Sequence, residues 1–71
     1  MNYYNMKEAK EIDFAIDYLK EIRTKYVDEI RAKQKELGEG VITDVANRLT
    51  SGIVELENKE VDRLKQRLKE L

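Results

Sequence analysis

Three acidic residues, Asp13, Asp17 and Glu21, come nearest in this sequence to an arrangement that could do chemistry. They recur at every fourth position, and on a helix that spacing aligns three carboxylates along one face. Such a row is compatible with a magnesium or calcium site, or with contact to a basic partner. Hard metal ions, however, take oxygen ligands that converge from several directions. We therefore expect a solvated acidic face rather than a metal site.

Catalytic chemistry has few other residues to use. The 71-residue sequence contains neither histidine nor cysteine. It has no glycine-rich phosphate loop, and no serine stands near a recognisable base. We predict that the protein is not an enzyme, has no catalytic residue or cofactor, and takes no small-molecule substrate.

The charge balance narrows the classes of partner. Charged residues make up 41% of the chain, yet the net charge is only −1. A field of mixed sign does not favour general attraction to nucleic acid or to an anionic membrane. No apolar stretch approaches the ~18 residues of a membrane span, and the N-terminus has no signal-peptide pattern. We expect a cytoplasmic protein without membrane contact.

Helix is the expected conformation throughout, because the chain has no proline and is rich in residues with high helix propensity. Asn5 resembles an N-cap, with Glu8 as its capping-box partner. Gly38 is suited to a left-handed C-cap, and Gly40 gives the chain a second joint for reversal. These signals predict a turn at Gly38-Glu39-Gly40.

The predicted fold class is all-α. We expect one domain, residues 1–71, formed by an antiparallel two-helix hairpin with helices over about 6–37 and 42–71. Residues 50–52, Thr-Ser-Gly, form the weak point of the second helix. A continuous helix is our prediction there, and a kink or break is the alternative.

An apolar stripe follows each predicted helix. The first consists of Ile12, Ile16, Leu19, Ile22, Tyr26, Ile30 and Leu37. The second consists of Ile42, Val45, Ala46, Leu49, Ile53, Leu56, Leu64 and Leu71, with Val54, Val61 and Leu68 along its flank. Folding the chain back at the turn places Gly52 opposite Tyr26, where a missing side chain leaves room for the phenol ring. It also places the acidic row near Arg63 and Lys65.

Two helices alone cannot cover these stripes, because two cylinders touch along one line and each stripe is wider than that line. A chain this short, without cysteine or histidine for disulfides or a zinc site, needs another source of stability. We therefore predict a homodimer in which two hairpins complete a four-helix bundle.

Five residues are candidate partner-binding residues. Phe14 projects about 160° away from Ile12 on a helical projection, and Tyr18 follows one turn later. We expect Phe14 to pack against the tyrosines of the N-terminal segment or inside a dimer interface. The alternative is an anchor for another protein, because aromatic residues often dominate interface energy. Val54, Val61 and Leu68 recur at heptad spacing, which suits a partner helix.

The composition and patterns favour a small helical protein-protein interaction protein, a regulator or inhibitor that docks on a partner. One alternative is a small DNA- or RNA-binding regulator, because residues 43–56 loosely resemble a helix-turn-helix. Against it, Glu55, Glu57 and Glu60 would repel phosphates in the second helix of that motif. The other alternative is a structural oligomerisation module that binds only itself.

Overall fold

The computed structural model describes residues 2–38 and 40–71, and these form two long helices. α1 spans Tyr3–Leu37 and α2 spans Val41–Glu70. The Cα atoms fill a volume of 54 × 16 × 8 Å, which is a single layer of two antiparallel helices. The predicted all-α hairpin is confirmed. Neither helix, over the residues described, has a segment with the length and apolar character needed to cross a membrane.

α1 begins one turn earlier than predicted. The side chain of Asn2 is the N-cap, and its Oδ1 accepts a hydrogen bond from the backbone N–H of Asn5 at 2.9 Å. The prediction of Asn5 as the cap is therefore wrong. Both asparagines are competent caps, and because nothing between them interrupts a helix, the first turn extends to Asn2.

The turn depends on two glycines. Gly38 and Gly40 have φ angles of +101° and +90°, which residues with a Cβ rarely adopt. The N–H of Gly38 donates to the carbonyl oxygen of Gln34 at 2.9 Å and closes the last turn of α1. The ψ of Gly38 is −159°, so its conformation is extended rather than the left-handed helical one that we predicted. Glu39, the middle residue of the predicted turn, lies outside the described residues.

α2 continues through residues 50–52 without a break. The alternative of a break there is therefore wrong, and residues 43–56 form one helix instead of a helix-turn-helix. A single glycine costs a helix only about 1 kcal/mol relative to alanine. The residues with high helix propensity on both sides of Gly52 offset this cost, so the helix continues through it.

The two helices pack in the register predicted from the turn. Residues expected to face each other line the same grooves: Leu37 with Ile42, Ile30 with Leu49, Ile22 with Leu56, and Ile12 with Leu64. A hydrogen bond of 3.2 Å from Gln34 to Thr43 crosses between the helices in the same register.

The seam between the helices follows a different line on α2 than the predicted stripe. Val61 and Leu68, expected on its flank, are half-buried. Val45, Leu49 and Leu56, expected within it, remain 46%, 52% and 62% exposed. Since the stripe is wider than the line of contact, α1 covers one edge of it and leaves the other edge open.

Two details predicted from the register are wrong. A Cβ built on Gly52 would meet no atom within 4 Å, so this glycine does not make room for Tyr26 within the hairpin. The acidic row is not paired with Arg63 and Lys65 either, since Arg63 binds Glu60 of its own helix at 2.9 Å.

The cap provides a stability test. Replacing Asn2 with alanine removes the acceptor for the Asn5 amide, and we expect the free energy of unfolding to fall by about 0.5–2 kcal/mol. Asn5→Ala is the comparison, because this position lies inside the helix, where alanine has the higher helix propensity, and its side chain makes one long hydrogen bond of 3.5 Å, from Nδ2 to the carbonyl oxygen of Leu71. Urea denaturation at one fixed chain concentration measures both changes. A larger loss for Asn5→Ala than for Asn2→Ala would contradict the assigned cap.

Candidate interaction surfaces

One side of the hairpin carries a mainly apolar surface, which we call the apolar face. Its exposed members are Tyr26, Leu37, Val45, Leu49 and Leu56. Half-buried aliphatic residues lie between them: Leu19, Ile22, Ile30, Ile42 and Ile53. Of the residues that the structure describes, just Ile12 and Ala46 are buried, at 5% and 4% exposure. Most of the apolar surface of this chain therefore faces outward.

The types of residue that line the apolar face differ between the two ends of the hairpin. Beside the turn, the groove between the helices is lined mainly by aliphatic side chains such as Ile30, Leu37 and Leu49. Beside the chain termini, charged residues border the groove around Ile12 and Leu64: Glu8, Glu11, Arg63 and Arg67. One end of the face is thus aliphatic and the other end is bordered by charges.

A polar pair crosses the middle of the seam. Nε of Arg23 in α1 donates to both carboxylate oxygens of Glu57 in α2, at 3.1 and 2.9 Å. The side chain of Glu57 is 11% exposed and that of Arg23 is 38% exposed. A carboxylate this well covered needs its cationic partner, since desolvation penalises an unpaired charge. This pair therefore holds the two helices in one register.

A second polar cluster lies near the turn, on the side of the seam away from the apolar face. Nη1 of Arg31 donates to Oδ1 of Asn47 at 2.9 Å and to Oε1 of Gln34 at 2.8 Å. Gln34 in turn donates to Thr43 across the seam. Polar contacts therefore hold the seam at two levels, and the Arg23 and Glu57 pair lines the same groove as Tyr26 and Leu56 of the apolar face.

At the far end of the hairpin, Arg67 of α2 reaches Glu8 of α1. Its Nε donates to Oε2 at 2.8 Å, and its Nη2 donates to Oε1 at 3.3 Å. This hydrogen bonding, followed by the negative charge of Glu8, raises the pKa of the Arg67 guanidinium above its usual value. The pair is exposed to solvent, so it aligns the helix ends while adding little stability.

The predicted aromatic residues of α1 lie on its surface. Phe14 is 72% exposed and Tyr18 is 62% exposed. Tyr3 and Tyr4 make an edge-to-face contact with ring centroids 5.7 Å apart, and this is the one ring pair in the described part of the chain. Phe14 is therefore not packed against the N-terminal tyrosines, and its ring is available for another molecule.

The heptad residues of α2 do not join this aromatic pair. Val54 is 38% exposed. Val61 and Leu68 are half-buried, with Leu68 closer to the C-terminal end. The five predicted partner-binding residues therefore form two separate sets, one on the outer side of α1 and one on α2.

The acidic row of α1 is exposed throughout. Among residues 2–38 and 40–71, no three acidic side chains come together as ligands for a metal ion. Asp13, Asp17 and Glu21 point to solvent from a single helix, which gives a metal ion ligands from one direction only.

Sequence reasoning missed the Arg23 and Glu57 pair. A signal was present: Arg23 stands four residues after Leu19, and Glu57 stands four residues after Ile53, so each continues an apolar row. A charged residue in such a row, with an opposite charge at the matching level of the other helix, predicts a polar contact across the seam. No family model, curated protein or solved structure matches this chain.

Removing Arg23 tests the central pair. In Arg23→Met, the covered carboxylate of Glu57 loses its partner, and we expect unfolding free energy to fall by about 1–3 kcal/mol. Glu36→Gln is the control, because Glu36 belongs to a solvent-exposed pair with Lys33 and should change stability little. Urea denaturation at equal chain concentration compares them. Equal losses in the two variants would show that the central pair has no special role.

Proposed function

We propose that this protein is a small helical interaction protein, a regulator or inhibitor that acts by docking on a partner protein. It works as a homodimer in which two hairpins complete a four-helix bundle. The mechanism is occupancy of a surface, and no bond is made or broken. The second copy covers the apolar face, and the partner binds outside it.

The apolar face carries this proposal. Its five exposed members keep 46–62% of their surface accessible in the hairpin. Monomeric proteins rarely expose a contiguous apolar patch of this kind, since burying it releases about 25 cal/mol for each Å² removed from water. The exposed members lie at residues 26–37 and 45–56, so the face occupies the part of the 54 Å layer beside the turn.

The outer side of α1 supports docking on a further protein. Phe14 and Tyr18 lie one turn apart and are 72% and 62% exposed. Phe14 projects furthest from the apolar face, so closing that face leaves the Phe14 ring accessible, while Tyr18 lies at the border of the face. Two exposed aromatic rings at this spacing resemble the anchor residues of helix-mediated recognition. Val54, at the edge of α2, is a further contact candidate.

The dimer can be tested with two lysine substitutions. Leu56→Lys places a charge on the apolar face, and we expect the dimer dissociation constant to rise by at least about tenfold, because that charge would be buried against the second copy. Phe14→Lys is the matched control, since Phe14 is similarly exposed but lies outside the apolar face. Sedimentation equilibrium over micromolar concentrations measures both.

Two results would contradict the homodimer. One is a wild-type protein that sediments as a monomer throughout the concentration range. The other is an equal effect of the two substitutions, which would mean that the apolar face is not the contact.

Docking on a partner is tested with Phe14→Ala. Because the Phe14 ring is exposed, we expect this variant to keep its helix content and its dimer while losing at least about tenfold in partner affinity, in the range of an interface anchor. Quantitative affinity capture from native cells, comparing wild type with Phe14→Ala, identifies candidates. Titration with the purified candidate then measures the dissociation constant.

The outcomes separate the alternatives. A protein bound by wild type and by Phe14→Ala with equal affinity would contradict the aromatic anchor. A dimer that binds no partner would be a structural oligomerisation module. Salt-sensitive binding to duplex DNA or structured RNA in an anisotropy titration would replace the proposal with a nucleic-acid regulator.

A further inference from the structure

We propose that the two copies pack apolar face to apolar face with their turns at the same end of the bundle. In this arrangement α1 of each chain lies against α2 of the other, and Gly52 of one copy meets α1 of the other at the level of Tyr26. This inference depends on the proposed homodimer and specifies its geometry. Three independent features of the hairpin support it.

The first feature is the difference between the aliphatic end of the apolar face and the end that is bordered by charged residues. With the turns together, the aliphatic end around Leu49 covers the aliphatic end of the second copy. With the turns at opposite ends and full overlap, that aliphatic end would instead cover the end bordered by Glu11 and Arg63. Charged groups would then be desolvated against aliphatic side chains, which is unfavourable.

The charges at the two edges of the face are the second feature. Glu29 lies one helical turn from Tyr26, which places it at the α1 edge. Arg48 lies one turn from Val45, which places it at the α2 edge. Glu29 has no ion-pair partner among residues 2–38 and 40–71, and Arg48 has only an exposed 3.4 Å contact with Asp44.

Packing α1 against α2 of the second copy brings these edges together. Within one hairpin, Ile30 of α1 lies at the level of Leu49 of α2. Two copies with their turns together have the same residues at the same levels. Glu29 of one chain therefore lies at the level of Arg48 of the other. At the charged end, Glu11 meets the edge that carries Arg63 in the same way. In the opposite-end arrangement α1 would face α1, and Glu29 would approach the Glu11 of the other copy.

Gly52 is the third feature. A glycine inside a helix costs about 0.5–1 kcal/mol relative to alanine, so its presence needs a reason. Within the hairpin there is none, because a Cβ at this position would meet no atom within 4 Å. Gly52 lies one turn from Arg48 on the same edge of α2, where a second helix approaches in the proposed dimer. The absent side chain allows the backbone of that helix to come close.

Charge reversal tests which edges meet. The dimer contains the contact between Glu29 and Arg48 twice. The homodimer of Glu29→Arg places two positive charges at each contact, and the homodimer of Arg48→Glu places two negative charges there. We expect the dissociation constant of each homodimer to rise at least tenfold. An equimolar mixture forms heterodimers in which both contacts again join opposite charges. Its dissociation constant should return to within threefold of wild type. Within one chain the two residues lie on opposite outer edges and do not meet. A recovery of dimer affinity on mixing therefore comes from contact between the two chains.

A distance measurement provides an independent readout. The sequence has no cysteine, so Glu36→Cys gives a single labelling site beside the turn. With the turns together, two spin labels at this site should lie roughly 20 Å apart, as expected when neighbouring helix axes are ~8–10 Å apart. With the turns at opposite ends, they would be separated by most of the 54 Å length. Circular dichroism checks that every variant remains helical.

Short label distances together with restoration on mixing support the arrangement. A dimer with widely separated labels, or a mixture that stays as weak as its components, overturns it while leaving the homodimer intact. Monomers in every sample overturn the homodimer as well, and identify a different protein as the occupant of the apolar face.

Discussion

Two helices side by side touch along a single line, and this constraint governs the rest of the structure. Each helix has an apolar stripe wider than that line, so contact between α1 and α2 covers one edge of each stripe. In the described part of the chain, Ile12 and Ala46 alone are buried, at 5% and 4% exposure. A chain of 71 residues with so little buried surface is marginal when alone, and without cysteine or histidine it has no disulfide or zinc site to compensate.

Polar contacts at the seam fix the register of the two helices. Arg23 with Glu57, and Arg31 with Asn47, hold the helices at fixed levels, since a shift of one turn would leave the covered carboxylate of Glu57 unpaired. Such contacts contribute more to register than to net stability, because desolvation offsets much of the attraction. They also occupy positions where aliphatic residues would have widened the core. Leu49 and Leu56 remain 52% and 62% exposed on the open side of the layer.

Periodicity and the glycine pair were sufficient to predict both helices, the turn and the register, because these depend on local propensity and on one fold-back point. The stripe did not predict which of its edges on α2 would face α1. Because the stripe is wider than the line of contact, α2 can be rotated about its axis by several amounts and still place apolar residues against α1. The cap at Asn2 was missed because Asn5 satisfies the same local rule. The projection placed Phe14 away from the stripe but did not show what would cover its ring, which is 72% exposed in the hairpin. The Arg23 contact required matching charges at one level of both helices.

In the proposed dimer, the apolar face and the outer side of α1 serve two different kinds of binding. The apolar face is mainly aliphatic, which suits permanent association with a second copy, while Phe14 projects away from that face and is 72% exposed. In a bundle with its turns together, the two α1 helices lie diagonally, so the two Phe14 rings point to opposite sides at the same level. Such a dimer presents two equal sites that one compact partner cannot reach together. Its stoichiometry is then two partners per dimer, and high avidity would require a partner that is itself dimeric or elongated.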